Sequence, residues 1–364
     1  METQKQTRLS GIELLKILAI ILICISHAVQ TSGSLFPLVP SLDGTIIALK
    51  LLRYSGMIGN TIFVVCSCWF LLDSKKAKTN KILNLLFDSM LISIVILVCM
   101  LIAGYNISAK EIVQQFVPDL FSRVWFVPFY VMLYAFHPLL NAGIEKMSKR
   151  TYFGLVIVLF ILFVGISLVI DLPQICNLIY AFVIYLIIGY FKKYHIDLCN
   201  NKKVNLIICL VGFITFFIVA AGVFVLATKF SFLAKRPFLM YTVSPLIAIP
   251  SFAAFNLFRN MNFKSKLINC VSSCSLFIYC IHENVLLRSY VRPNIEQWCL
   301  DTFGSNLAVV WILGIALCMF IGATIISVIY KFTAHRFTSW LSIKSEYGIN
   351  LVFNKIYKKI YKEN

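Results

Sequence analysis

Ten long apolar blocks, separated by short polar breaks, constrain this chain more than any other feature of its sequence. They run over 11–31, 56–73, 87–105, 125–145, 152–171, 177–194, 204–227, 240–259, 268–290 and 305–330. A helix crosses a bilayer with about 20 mostly apolar residues. Lipid offers unpaired backbone groups no water, so spans of this length must be helical. Barrel strands alternate apolar and polar residues and are only about 10 residues long, a pattern these blocks do not follow. The chain is 60% hydrophobic and 13% charged, whereas a soluble domain carries about 25% charged residues. The sequence therefore predicts an all-α, polytopic integral membrane protein with about ten transmembrane helices.

The placement of charge gives the orientation. The formal net charge is +18, but the basic residues lie in short runs between apolar blocks. No helix-turn-helix, zinc-finger or RNA-binding pattern accompanies them, so no nucleic-acid partner is expected. With the N-terminus inside, 23 of the 33 Lys and Arg residues fall in inner segments and 9 in outer ones, with Lys16 in the first span. By the positive-inside rule this predicts a multi-pass cell-membrane protein with both termini cytoplasmic. The first block lacks a convincing cleavage site and reads as a retained span. Residues 336–364 mix Phe337, Trp340, Leu341, Ile356 and Ile360 with Lys358 and Lys359. They read as a basic amphipathic cytoplasmic tail on membrane lipids, beyond a transmembrane unit of residues 1–335. Most of the cysteines fall inside apolar blocks and read as small buried hydrophobes. Cys66 and Cys68 have no neighbouring His in sequence, so no metal site is expected.

Ionisable residues within a span are costly and mark candidate sites. From Lys16 to His27 is eleven residues, which at 100° per residue returns to within about 20° of the starting direction and rises about 16 Å. Glu13 lies close to the same line. One stripe of the first helix thus carries Glu13 and Lys16 near the inner end and His27 toward the outer end, and it must face protein or a wet cavity. An interhelical ion pair at Glu13–Lys16 with a hydrogen-bonded His27 would also satisfy this pattern. In the ninth block, His282, Glu283 and Asn284 interrupt an apolar run. They cannot all point one way, and a polar clamp between helices is one reading of them. His137 precedes Pro138, where a side chain could relieve a kink.

Four stretches, in order, resemble the membrane-bound acyltransferase 3 family. The first is Ser10-Gly11-Ile12-Glu13-Leu14-Leu15-Lys16 followed by His27. The second is Ile58-Gly59-Asn60-Thr61-Ile62-Phe63-Val64 leading to Phe70-Leu71. The third is Val124-Trp125-Phe126 with Tyr134 and Pro138, and the fourth is Ile278-Tyr279-Cys280-Ile281-His282-Glu283-Asn284. Two positions depart from the family pattern. Lys16 stands where the family has Arg, keeping the charge but losing the planar fork. Ser67-Cys68 stands where the family has Ser-Gly.

The resemblance implies transfer of an acyl group, usually acetyl from cytoplasmic acetyl-CoA, to a hydroxyl of a cell-envelope polysaccharide or its lipid-linked precursor. On that reading His27 is the general base, since imidazole titrates near neutrality, and a covalent acyl-His intermediate is the alternative. His282 and Glu283 would assist the base or bind acceptor hydroxyls, and Asn284 would bind acceptor. Lys16, paired with Glu13, would attract the anionic CoA head together with Lys75, Lys76, Lys78 and Lys81. Trp125 would stack on a sugar or on adenine, or anchor at the interface. A transporter or flippase of a glycan precursor, and a non-catalytic scaffold, are the competing readings.

Overall fold

The computed structural model describes residues 10–118, 126–169, 176–233 and 244–361. All regular secondary structure among them is helical. The principal helices are α1 (Ser10–Thr31), α2 (Gly44–Leu71), α3 (Thr79–Ile102), α4 (Ala109–Phe116), α5 (Phe126–Lys146), α6 (Lys149–Val169) and α7 (Cys176–Tyr194). They continue with α8 (Lys202–Leu226), α9 (Pro245–Arg259), α10 (Lys266–Ser272), α11 (Ser275–His282), α12 (Arg292–Phe303), α13 (Ala308–Phe332) and α14 (His335–Tyr361). The end of the bundle holding Ser10 and the α2–α3 turn is here termed basal, and the end holding Thr31 is termed distal.

Six helices among the described residues are long and apolar enough to cross a membrane: those containing α1, α2, α3, α5, α8 and α13. α9 is apolar but shorter, at Pro245–Arg259. The expected span 268–290 is not one helix. It breaks between α10 and α11, and again after His282. Side-chain hydroxyls occupy the first break: Ser273 Oγ donates to the Cys270 carbonyl at 2.6 Å and Ser275 Oγ to that of Ser272 at 2.7 Å. Lys331 reaches Ser273 from α13. These bonds make an interruption tolerable at such depth.

The second expected span, 56–73, also needs correction, because α2 begins twelve residues earlier at Gly44. Asp43 caps it, accepting from the Ile46 N–H at 2.9 Å. Lys50 and Arg53, expected in an outer loop, are therefore helical and turned toward the bundle. The Lys50 ammonium lies 5.4 Å from the Tyr54 ring and 5.6 Å from that of Phe224. Arg53 donates to Ser26 Oγ on α1.

α1 sits at the centre, touching α2, α9, α10, α11 and α13. Close approach fixes it there. A Cβ at Gly59 would lie 2.4 Å from the Ala19 carbonyl oxygen, and one at Gly11 would lie 2.0 Å from that of Phe258. At Pro138 the ring removes the N–H that the Tyr134 carbonyl would accept. The buried His137 Nδ1 reaches that carbonyl at 2.5 Å, which gives this histidine a structural task. Among the described residues the tail is one helix, α14, docked along α3. Buried Asp88 accepts from Tyr330 at 2.7 Å and lies 3.0 Å from His335 Nδ1. The Asn80 N–H donates to Glu346 at 3.1 Å. Phe337, Trp340, Ile343, Tyr347 and Leu351 remain exposed on α14.

Candidate functional site

His27 lies in the last two turns of α1, with its side chain 12% exposed. Its Nδ1 is 2.5 Å from Glu283 Oε2 and 3.1 Å from His282 Nε2. His282 Nδ1 donates to the Ile278 carbonyl at 2.7 Å, the ordinary i−4 acceptor of α11, and so presents an unprotonated Nε2. These partners assign the proton of a neutral His27 to Nδ1, on the side of His282 Nε2 and the Glu283 carboxylate. His27 Nε2 is then the basic nitrogen, and it has no hydrogen-bond partner among the described residues. Helix α11 ends at this point because Glu283 and Asn284 leave helical geometry, and a π-turn over Leu287–Val291 follows. That turn places Arg288 Nη1 2.7 Å from Glu283 Oε1 and Arg292 Nη2 3.8 Å from Oε2. Glu283 is thus oriented from one side by cations and orients His27 on the other.

Residues 255 positions apart meet here. The family resemblance named His27, His282 and Glu283 and let the last two assist the base, without saying which contacts join them. Sequence reasoning missed Arg53, Arg288 and Arg292, which it read as outer-loop charges. Asn284 points elsewhere: its amide donates to Gln115 at 3.0 Å and Ser93 at 3.4 Å, and accepts from the Leu286 N–H at 2.9 Å. It fastens the end of α11 to α3 and α4. Trp125 lies outside the described residues.

The basal half of the stripe has a separate geometry. Lys16 Nζ is 3.5 Å from Glu13 Oε1, and Ser272 donates to Glu13 Oε2. Lys16 and Lys81 line a cavity of about 420 Å³ between α1, α2, α3, α5 and the broken segment. Lys75, Lys76 and Lys78 are exposed and stand outside its wall. Asn60, Ser67 and Tyr130 add polar groups along it, and it ends against Ile23, Phe126 and Tyr279. Ile23 is one turn below His27. The Tyr279 ring lies 5.8 Å from Phe126 and 6.4 Å from His27, centroid to centroid. The imidazole therefore sits just behind the aromatic end of the cavity rather than in its wall.

His27, His282 and Glu283 offer three ligand atoms within 4.8 Å of one another, a spacing that a metal ion could use. The carboxylate, however, already faces two guanidinium groups. A divalent cation there would be repelled by both. The donor set fits a hydrogen-bonded acid–base group better.

Distal to this cluster, on α12 and outside the candidate spans, Glu296 is buried and accepts from Thr31. Burial pushes its carboxyl up to about 7, against the opposing pull of the Thr31 hydrogen bond and Arg292.

No curated protein and no solved structure matches the chain. A family model described as an acyltransferase domain matches residues 9–330, from the start of α1 almost to the end of α13. The matched region contains the His27–Glu283 pair, the cavity and the broken segment between them. The chain belongs to the acyltransferase 3 family of membrane proteins.

Proposed function

We propose that this protein transfers an acyl group, acetyl from cytoplasmic acetyl-CoA, to a hydroxyl of a cell-envelope polysaccharide or its lipid-linked precursor. The observation that carries the reading is the 2.5 Å contact between His27 Nδ1 and Glu283, set behind a cavity whose basal mouth holds Lys16 and Lys81. In this reading the basal end faces the cytoplasm, in keeping with the lysine distribution, and both termini lie on that side of the cell membrane.

Lys16 and Lys81 attract the anionic head of acyl-CoA, and the thin pantetheine arm runs along the cavity toward Tyr279. The acceptor arrives from the distal side. His27 Nε2 takes the proton from its hydroxyl as the oxygen attacks the thioester carbonyl. A C–O bond forms, the C–S bond breaks, and the departing CoA sulfur recovers the proton from the imidazolium. Glu283 holds the ring and stabilises its charged form, as a carboxylate does for a base histidine. His282 fixes the second contact of Nδ1. Passage of the thioester to His27 requires the Tyr279 ring to turn aside.

Mass analysis of envelope glycans with and without the gene tests the reading. An acyl mass increment should vanish on deletion and on His27→Ala, with the variant still inserted in the membrane. Glycans that keep the increment in the His27→Ala strain would refute the assigned chemistry. Transport of a glycan precursor by the purified protein without acetyl-CoA would favour a flippase instead.

A further inference from the structure

The charge around Glu283 is unbalanced. Arg288 is consumed by its 2.7 Å contact with the carboxylate, and Arg53 by the Ser26 hydroxyl. Arg292 is not consumed. Its side chain is 5% exposed, yet neither Nη1 nor Nη2 has a hydrogen-bond partner among the described residues. Its approach to Glu283, at 3.8 Å, is too long for a hydrogen bond. The other buried carboxyl nearby, Glu296, spends one oxygen on Thr31 and leaves Oε2 without a partner. Against three guanidinium groups the region thus holds two carboxyls: Glu283, whose Oε1 accepts from Arg288 and whose Oε2 faces His27 and Arg292, and Glu296, which burial holds partly protonated near neutrality.

A buried guanidinium with unused donors is unfavourable unless something completes it. Its planar fork matches the paired oxygens of a phosphate or carboxylate. Any such group bound to Arg292 lies beside Glu283, the residue that touches His27, and Arg292 is not among the residues that line the donor cavity. We propose that Arg292 is a specificity-determining residue that binds an anionic group on the acceptor, so that the acceptor is an acidic or phosphorylated glycan rather than a neutral one. This deepens the acyl-transfer reading and rests on it for the word acceptor; the anion site itself does not depend on catalysis. The anion could be the carboxylate of an acidic sugar or the phosphate of a lipid-linked precursor, and the two are separable by experiment.

The test is binding to the purified full-length protein, followed by thermal shift and titration, with three probes: methyl glucuronoside, glucose 1-phosphate and methyl glucoside. The wild type should bind at least one charged probe and discriminate against the neutral glucoside. Arg292→Gln should lose about tenfold or more in affinity for that probe, with Arg292→Lys falling between and both variants melting like the wild type without ligand. His27→Ala should bind it as the wild type does while losing acyl transfer, which separates this inference from the reading beneath it. Preference for the glucuronoside identifies an acidic sugar, and preference for the sugar phosphate identifies a phosphorylated precursor. Equal binding of all three probes, binding of none, or undiminished affinity in a folded Arg292→Gln protein would overturn the proposal.

Discussion

At the basal end of α1, Glu13 is matched by Lys16 at 3.5 Å and by the Ser272 hydroxyl, beside an open cavity. At the distal end, Glu283 faces His27 at 2.5 Å and two arginines, and His27 sits behind Tyr279, outside the wall of that cavity. The basal arrangement sets a paired Lys16 and a second lysine, Lys81, beside an open cavity, which suits holding a charged molecule that must enter and leave. The distal arrangement is crowded and cationic, which suits fixing the orientation of one ring and favouring negative charge next to it. Buried charges interact more strongly than wet ones, so the two ends should respond differently to loss of a side chain.

Kinetics can break this division. Glu283→Gln keeps the shape but removes the charge that steadies the His27 imidazolium. It should lower kcat about tenfold or more and leave the KM for acetyl-CoA nearly unchanged. Lys16→Gln should do the reverse, raising that KM about tenfold with a smaller effect on kcat. If both substitutions move the same parameter, the basal and distal ends do not have separate tasks. Gly59 tests the element that ties them together. Gly59→Ala places a methyl 2.4 Å from the Ala19 carbonyl oxygen and should cost about 1–3 kcal/mol by thermal unfolding, lowering activity through loss of folded protein.

The smallest effect belongs to Glu296. Its folded-state value of about 7 is raised from 4.5, so the native protein retains the proton over a range where the unfolded chain has released it. Its contribution to stability is complete below the unfolded value and is lost as pH rises through the folded one. Glu296→Gln should therefore flatten the fall in melting temperature between about pH 4.5 and 7. An unaltered slope would remove Glu296 from the account of distal charge.

The apolar blocks made the helical class legible, because length and hydropathy alone set that outcome, and the polar interruptions pointed to His27, His282 and Glu283. Their pairing was not legible, since it joins positions 255 residues apart through tertiary packing. Arg53 was assigned to a loop because an apolar window stops at a charge, whereas α2 carries the arginine inward to Ser26. Arg288 and Arg292 carry the same ambiguity: both counted as outer-segment charges, and only the π-turn after α11 brings them to Glu283. The resemblance gave Asn284 an acceptor-binding role, yet its amide is engaged by Gln115, Ser93 and the Leu286 N–H at the end of a helix. Local sequence does not distinguish a polar side chain that serves the backbone from one that serves chemistry.

The central claim is that His27, held by Glu283, is the base for acyl transfer, and single-turnover transfer from labelled acetyl-CoA by the purified protein tests it most directly. The expected result is that the wild type moves label from CoA to an ester on added envelope glycan. His27→Ala should bind acetyl-CoA equally well and form ester at least about 100-fold more slowly. Ester formation at the wild-type rate in the His27→Ala protein would contradict the account.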